Sequence, residues 1–268
     1  MLNVRTVLDR DGVVVSDVRC SHAQGTATET ELAVGHALVL VRRGCFVRRV
    51  NGVEQVLDPT LAYCMNPGDE QLFDHPHGSG DDCTTITLST DLVASVWGDP
   101  LPPATMSTSS RLDLGHRLLL SAADCADDEH HLYERAIVLV AAALEGIDAE
   151  RVSAGGPAGA RARRALADRA REALTECPDR SLPDLARGLE TSPHHLSRVF
   201  RAEVGHTVSR HRMRLRTRAA LERLHQGEDD LARLAADTGF ADQSHFCRVV
   251  REETGRTPSA LRRALTVQ

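Results

Sequence analysis

The feature that most constrains this chain is a short pattern that occurs twice, fifty positions apart. Residues 196–207 (LSRVFRAEVGHT) and 246–257 (FCRVVREETGRT) carry identical arginine, valine, glutamate, glycine and threonine residues at matching positions. A Leu-Ala pair also repeats upstream, at 185–186 and 234–235, so the second copy has one extra residue between its two helices. Each copy predicts a short helix, a tight turn and a second amphipathic helix. One supersecondary unit is therefore expected to be used twice.

The second helix of each copy is predicted to bury one face and to display the other. Arginine on a displayed face can bond guanine in bidentate fashion, and glutamine can do the same with adenine. Arg201 and Arg251 lie further from the helix starts, so they are expected to meet phosphate rather than bases. The predicted DNA contacts are His194, Ser197, Arg198 and Arg201 in the first copy and Gln243, Ser244, Cys247, Arg248 and Arg251 in the second.

Charge is distributed unevenly between the two halves of the chain. Residues 157–268 contain 21 arginines and 15 acidic residues, a net +6, whereas residues 1–156 carry a net −12. All 32 basic residues are arginines. A basic module is attracted to a polyanion, while an acidic one is repelled by phosphate. The C-terminal half is therefore expected to contact DNA, and the N-terminal half to serve as a sensor or an assembly domain.

Residues 161–265 resemble the DNA-binding domain of the AraC/XylS family of bacterial transcriptional regulators. The segments that carry the resemblance are 235–248 (AADTGFADQSHFCR) and 255–262 (GRTPSALR). Val250 stands where the family usually has phenylalanine, and Leu261 where it often has tyrosine; both remain apolar. The resemblance implies binding to double-stranded promoter DNA and contact with RNA polymerase. It also implies an N-terminal cupin-like domain that senses a small molecule or mediates dimerisation.

The N-terminal half shows the pattern of such a domain. Short strand-like runs fill residues 1–105, and Asn51-Gly52 predicts a two-residue hairpin turn, as in a small barrel or a double-sheet jelly roll. Apolar periodicity over 110–148 predicts two helices that cover the barrel or pair across a homodimer. The predicted fold class is α+β multidomain. A cupin-like β-barrel with a helical pair (1–150, helical part 110–150) precedes a linker (151–160) and an all-α double helix-turn-helix domain (161–268).

Histidines and cysteines of the N-terminal half suggest a zinc site. Cys20 and His22 form a Cys-x-His unit, and His75 and Cys83 flank one loop. These four side chains would complete a tetrahedral zinc site if their strands are neighbours. Cys45 and Cys64, the reserve ligands, lie in strand-like runs and are expected to be buried packing residues.

Other uses of the N-terminal half are less well supported. A metallo-cupin enzyme needs a His-x-His pair, a carboxylate and a later histidine that all point into one barrel. Pro76 changes the relative direction of His75 and His77, and no complete motif appears around His22 or His36, so no enzymatic activity is predicted. Redox sensing through Cys83, expected to be exposed, is disfavoured because two flanking aspartates raise a thiol pKa. An effector cavity is a further possibility. The aromatic residues that would line it are Phe46, Tyr63, Phe73 and Trp97.

The sequence also bears on location. The N-terminus is too polar for a signal peptide, and no apolar run approaches the ~18 residues of a membrane span. Seven cysteines without disulfide spacing fit a reducing cytoplasm. The sequence thus predicts a cytoplasmic transcription regulator. The competing hypothesis is a metal- or ligand-binding cupin protein whose basic tail binds nucleic acid without regulating transcription.

Overall fold

The computed structural model describes residues 2–21, 29–75, 80–97, 100–102, 105–125, 127–145 and 158–265. The strands in these ranges are β1 (Leu2–Arg10), β2 (Val13–Cys20), β3 (Glu31–Leu32), β4 (His36–Arg43), β5 (Phe46–Val50), β6 (Val53–Leu57), β7 (Leu61–Met65), β8 (Glu70–Asp74), β9 (Asp81–Leu88) and β10 (Thr105–Ser107). The helices are α1 (Thr90–Val96), α2 (Ser110–Asp124), α3 (Glu129–Glu145), α4 (Ala158–Glu176), α5 (Leu182–Gly188), α6 (Pro193–Val204), α7 (Val208–His225), α8 (Leu231–Asp237), α9 (Gln243–Thr254) and α10 (Pro258–Leu265).

The strands form two antiparallel sheets. One has six strands in the order β1-β2-β9-β4-β7-β10, and the other has four in the order β3-β8-β5-β6. The predicted hairpin at Asn51-Gly52 is confirmed: Val50 pairs with Val53, and both turn residues have positive φ. Positive φ at both central positions gives the turn whose twist matches antiparallel strands.

The space between the sheets is filled by apolar side chains from both of them. Phe46 and Leu57 from the four-stranded sheet share a buried cluster with Val39, Val41 and Tyr63 from the other. The rings of Phe46 and Tyr63 have centroids 6.5 Å apart, and Phe46 lies 6.1 Å from Phe73. Trp97 packs instead against the cluster on the opposite face of the six-stranded sheet. The structure therefore divides the four aromatic residues proposed for an effector cavity between two separate cores.

The helices α2 and α3 cover that opposite face, as one of the two sequence-based alternatives predicted. Leu119 and Ala136 join Val13 and Leu38 of the sheet in one buried cluster. The two helices approach closely at Gly115. A side chain at Gly115 would place its Cβ 2.6 Å from a methyl carbon of Leu139. The pair therefore belongs to the core of the N-terminal domain.

The C-terminal domain is entirely helical within the described residues. It has two apolar cores, and α7 contributes to both: Val208 and Leu215 to the first, Leu221 and Leu224 to the second. Helix α4 begins at Ala158, within the segment predicted to be a linker. The predicted fold class is confirmed: a two-sheet domain with a helical pair precedes an all-α domain. Among the described helices, none is long and apolar enough to span a membrane.

Candidate nucleic-acid interface

The first repeat unit consists of α5, a short turn and α6. Ser192 caps α6 because its side chain accepts a hydrogen bond from the backbone N–H of His195, and Pro193 occupies the first turn. Gly205 ends the helix in the left-handed conformation, with φ of 84°. A residue without Cβ adopts that conformation at little cost, which explains the glycine at this position. The predicted start and end of this helix are both confirmed.

The second unit, α8 and α9, repeats the construction. Asp242 caps α9 by accepting from the backbone N–H of His245 at 2.7 Å, and Gly255 ends the helix with φ of 78°. The first unit's helices begin at Leu182 and Pro193, the second unit's at Leu231 and Gln243. The distance in sequence between the two helix starts is therefore one residue longer in the second unit, as the sequence repeat predicted.

The two recognition helices, α6 and α9, bury matching positions. Leu196, Val199 and Phe200 are buried in α6, and Phe246, Val249 and Val250 occupy the equivalent positions in α9. The predicted contacts His194, Arg198, Arg201, Gln243, Ser244, Arg248 and Arg251 are exposed, whereas Ser197 and Cys247 are half-buried. Each helix therefore presents one polar face, of the kind that enters a major groove.

The arginines on these polar faces make only weak contacts with other side chains of the described residues. Arg248 lies 3.8 Å from Glu252, and both side chains are more than half exposed. Arg198 contacts only the ring nitrogen of His195, at 3.3 Å, among the side-chain hydrogen bonds of the described residues. Exposed ion pairs of this kind contribute little free energy, so exchanging them for a phosphate or a base costs little. Cys247 packs against the apolar core of the second unit, which makes it a packing residue as much as a surface one.

The N-terminal domain contacts the second unit through α2. Leu114 and Leu118 pack into the same apolar core as Leu221, Phe246 and other residues of the second unit. The sequence did not predict this contact, because the apolar residues of α2 are divided between the core of the N-terminal domain and the core of the second unit. The structure bears on the predicted dimer interface over 111–148, because much of α2 is already covered by the C-terminal domain of its own chain.

Arg117 is the centre of the polar part of this contact. It is completely buried and donates to Asp113 on its own helix, to Glu222 on α7 and, at 3.1 Å, to the backbone oxygen of Arg42 on β4. Burial alone would raise the pKa of Asp113, but Arg117 and a hydrogen bond from His116 hold it well below its usual range. Asp113 is therefore charged. The guanidinium of Arg117 lies between the carboxylates of Asp113 and Glu222 and so links the two domains.

A second buried ion pair joins the N-terminal domain to α4. Arg171 donates to Asp58 from Nε at 2.9 Å and also approaches it with Nη2 at 2.8 Å. Asp58 is fully buried and additionally accepts from the backbone and hydroxyl of Thr60 at 2.6 Å. Nearby, Arg218 of α7 donates to the backbone oxygen of Thr108 at 2.6 Å. The N-terminal domain thus contacts α4 and α7 of the C-terminal domain in addition to the second repeat unit.

Buried histidines near these contacts make stability depend on pH. Burial lowers the pKa of His116 to about 4 and that of His211 to about 3. In the unfolded chain both titrate near ~6.5, so between about pH 6.5 and pH 4 the unfolded state binds more protons. The free energy of unfolding should therefore fall as pH falls through this window, by on the order of a few kcal/mol at about 1.4 kcal/mol per pKa unit. Asp58 and Asp113, whose pKa values are lowered, stay charged throughout the window.

Urea unfolding at a series of pH values measures this slope. His116→Gln should flatten it, whereas His131→Gln, at a side chain that is 60% exposed, should leave it unchanged. A slope identical in the wild type and His116→Gln would show that His116 does not contribute.

The cysteine environments differ from what the sequence suggested. Cys83, expected to be exposed, is only 4% exposed because it pairs within the central strand β9. Burial raises its pKa well above the ordinary value, and burial together with Asp81 raises that of Cys20 to about 11. Because these raised pKa values keep Cys20 and Cys83 protonated at neutral pH, redox sensing through them is disfavoured. Cys45 and Cys64 are buried packing residues, as predicted.

The structure describes three of the four predicted metal ligands. Cys20, His75 and Cys83 are all buried at the same end of the N-terminal domain, whereas His22 and His77 lie outside the described residues. Asp81, which was considered only as a charge next to Cys83, lies among them. Its position opposite Cys20 on the neighbouring strand depends on strand pairing, which the sequence did not reveal.

Comparison with known proteins supports the assignment of the C-terminal region. Residues 185–264 match the family model described as a helix-turn-helix domain. An HTH-type transcriptional regulator of Mycobacterium tuberculosis is 32% identical over 119 residues, covering 44% of this chain and 42% of that relative. The match thus spans less than half the length of the relative.

Two solved structures show some similarity to this chain. The C-terminal domain of AraT, a response regulator from Geobacillus stearothermophilus, is 25% identical, covers 38% of this chain and 88% of that chain, and has a TM-score of 0.36. ToxT from Vibrio cholerae is 11% identical, covers 96% of this chain and 99% of that chain, and has a TM-score of 0.38. At these low TM-scores the likeness supports no conclusion about this chain.

Proposed function

We propose that this chain, in which residues 185–264 form a helix-turn-helix domain of the AraC type, is a sequence-specific DNA-binding regulator of transcription. The observation that carries the proposal is the duplication of the unit. Two recognition helices, each with a side-chain N-cap and a glycine C-cap, the same buried positions and exposed arginines, lie in one basic domain. A single unit with exposed arginines is common, whereas two matched copies fit two segments of one DNA groove.

The helix α7 joins the two units. Its 18 residues extend about 27 Å at 1.5 Å per residue, and successive major-groove segments on one face of DNA lie roughly 34 Å apart. Base contacts are proposed for His194, Ser197 and Arg198 in the first unit and for Gln243, Ser244 and Arg248 in the second. Arg201 and Arg251 would contact phosphates, which fixes the position of the helices without selecting a sequence.

Replacing Arg248 with alanine tests the proposed base contact. Binding to the preferred site should weaken by about 1–3 kcal/mol, with relaxed selectivity at one base pair, and Arg198→Ala should act similarly at another. Arg251→Ala is the matched control on the same helix. As a phosphate contact it should weaken binding to all sequences about equally. Fluorescence anisotropy with single-base variants of the site measures both effects. An equal loss on every duplex for Arg248→Ala would contradict its role in base recognition.

The N-terminal domain is proposed to control how the units are held. It contacts α4, a helix that shares an apolar core with α6, through Asp58 and Arg171, and it contacts the second unit through α2. Ser110, the first residue of α2, also donates to Glu253 on the second recognition helix at 2.9 Å. A small-molecule effector that alters the N-terminal domain would therefore act on the placement of α9. Such coupling requires that the effector bind the two arrangements with different affinity.

The proposal includes the partners that regulation requires. These are double-stranded promoter DNA, RNA polymerase in the cytoplasm and a small-molecule effector. A homodimer is also proposed, with α3 as its contact surface, because α2 is covered by the chain itself. Val138 on the outer face of α3 is 65% exposed. Sedimentation at micromolar concentration distinguishes a dimer from a monomer, and a monomer would remove this part of the proposal.

A further inference from the structure

Side chains able to bind a metal converge at one end of the six-stranded sheet. Cys20 ends β2 and Asp81 begins β9, and the two residues are direct partners in the antiparallel pairing of these strands. His75 follows β8 of the other sheet, so the cluster lies where the two sheets meet. All three residues are buried, with exposures of 8%, 7% and 3% respectively. Buried polar side chains of three different types rarely gather without a structural or binding role.

The distances suit a single ion. The sulfur of Cys20, a ring nitrogen of His75 and a carboxylate oxygen of Asp81 all lie within 4.8 Å of one another. Nε2 of His75 lies 2.5 Å from Oδ1 of Asp81. Zinc bonds nitrogen, oxygen and sulfur ligands at about 2.0–2.3 Å, so two ligands of one tetrahedral ion are about 3–4 Å apart. Small side-chain rotations would bring the three atoms to that spacing.

Neighbouring residues hold the ligands in place. The ring of Phe46 stacks on that of His75, with centroids 5.8 Å apart, which restricts rotation of the imidazole. Cys83 donates to the second oxygen of Asp81 at 3.2 Å and so orients the carboxylate. A metal site gains affinity when residues behind the ligands fix them in this way.

The backbone is also built for close approach. Gly80 has φ of 63°, and a side chain there would place its Cβ 2.1 Å from the backbone oxygen of Cys20. Only glycine allows the chain to pass so near to Cys20 before it enters β9. The strand ends that carry Cys20 and Asp81 are therefore brought together by the fold itself.

We propose that Cys20, His75 and Asp81 bind one zinc ion in the N-terminal domain, with Cys83 as the positioning residue for Asp81. The combination of one sulfur, one nitrogen and one oxygen donor favours zinc over calcium or magnesium, which prefer oxygen ligands only. The set replaces His22 of the sequence-based prediction by Asp81 and moves Cys83 from ligand to orienting group. Three protein ligands leave the fourth position of a tetrahedral ion to water or to another small ligand. The inference does not depend on the DNA-binding function.

Metal content of the full-length protein tests the proposal. The protein is purified without a tag or chelator under reducing conditions, and zinc is measured by elemental mass spectrometry. The expected result is about one zinc per chain, with near-complete loss in Cys20→Ser and in Asp81→Asn. Cys64→Ser is the matched control, since Cys64 is also a buried thiol and lies in the apolar core of the same domain. It should retain the zinc.

Titration with Co²⁺ of wild-type protein from which zinc has first been removed with a chelator, followed by removal of the chelator, provides a readout that needs no variant. Binding through Cys20 should produce a thiolate-to-cobalt absorption band that saturates at one equivalent and is displaced by Zn²⁺. A wild-type protein that contains no zinc and gives no such band would overturn the proposal. Equal zinc content in the wild type, Cys20→Ser and Asp81→Asn would also overturn it, because the ion would then lie elsewhere.

Discussion

Replacing Arg117 with alanine is expected to lower the free energy of unfolding by about 3–5 kcal/mol, because it leaves the buried carboxylate of Asp113 and the partly buried carboxylate of Glu222 without their counter-ion. Arg117 is completely buried and contacts Asp113, Glu222 and the backbone oxygen of Arg42. These partners belong to α2, to α7 of the C-terminal domain and to β4. Loss of one side chain therefore removes hydrogen bonds that hold three elements together.

Urea unfolding followed by circular dichroism measures this effect. Arg111→Ala is the control, since Arg111 lies on the same helix but is exposed, and its replacement should change stability by no more than about 0.5 kcal/mol. Combining Arg117→Met with Glu222→Gln should recover part of the loss, because the two positions are coupled. A loss below about 1 kcal/mol for Arg117→Ala is typical of weak, solvent-screened ion pairs. Such a result would contradict the burial of Arg117 between Asp113 and Glu222.

The repeat made the C-terminal domain the most predictable part of the fold. Helix starts and ends depend on residues close in sequence. Ser192 with Pro193 starts α6 and Asp242 starts α9, whereas Gly205 and Gly255 end these helices. The polar and apolar faces of the recognition helices follow from the helical period alone. The Asn51-Gly52 turn was predictable for the same reason, because its geometry requires positive φ at two adjacent positions.

Contacts between distant parts of the chain were not predictable in this way. Arg117 and Glu222 are separated by 105 positions, and Arg171 and Asp58 by 113. Arginine is almost never fully buried unless it is paired, and Glu222 and Asp58 lie far from these arginines in the sequence. Their burial results from the packing of one domain against another. Asp81 was not among the metal ligands proposed from the sequence for a related reason, since strand register decides that it lies opposite Cys20.

The most direct test of the central claim is a binding-site selection from random DNA with the full-length protein, followed by footprinting on the selected site. The proposed function predicts two protected major-groove segments on one face of the duplex, centred about one helical turn, roughly 10 base pairs, apart. Binding to that site should exceed binding to random DNA by about 4–10 kcal/mol at physiological salt. Equal affinity for selected and random duplexes would contradict a regulator and favour non-regulatory nucleic-acid binding. Protection of a single segment would contradict the use of both helix-turn-helix units.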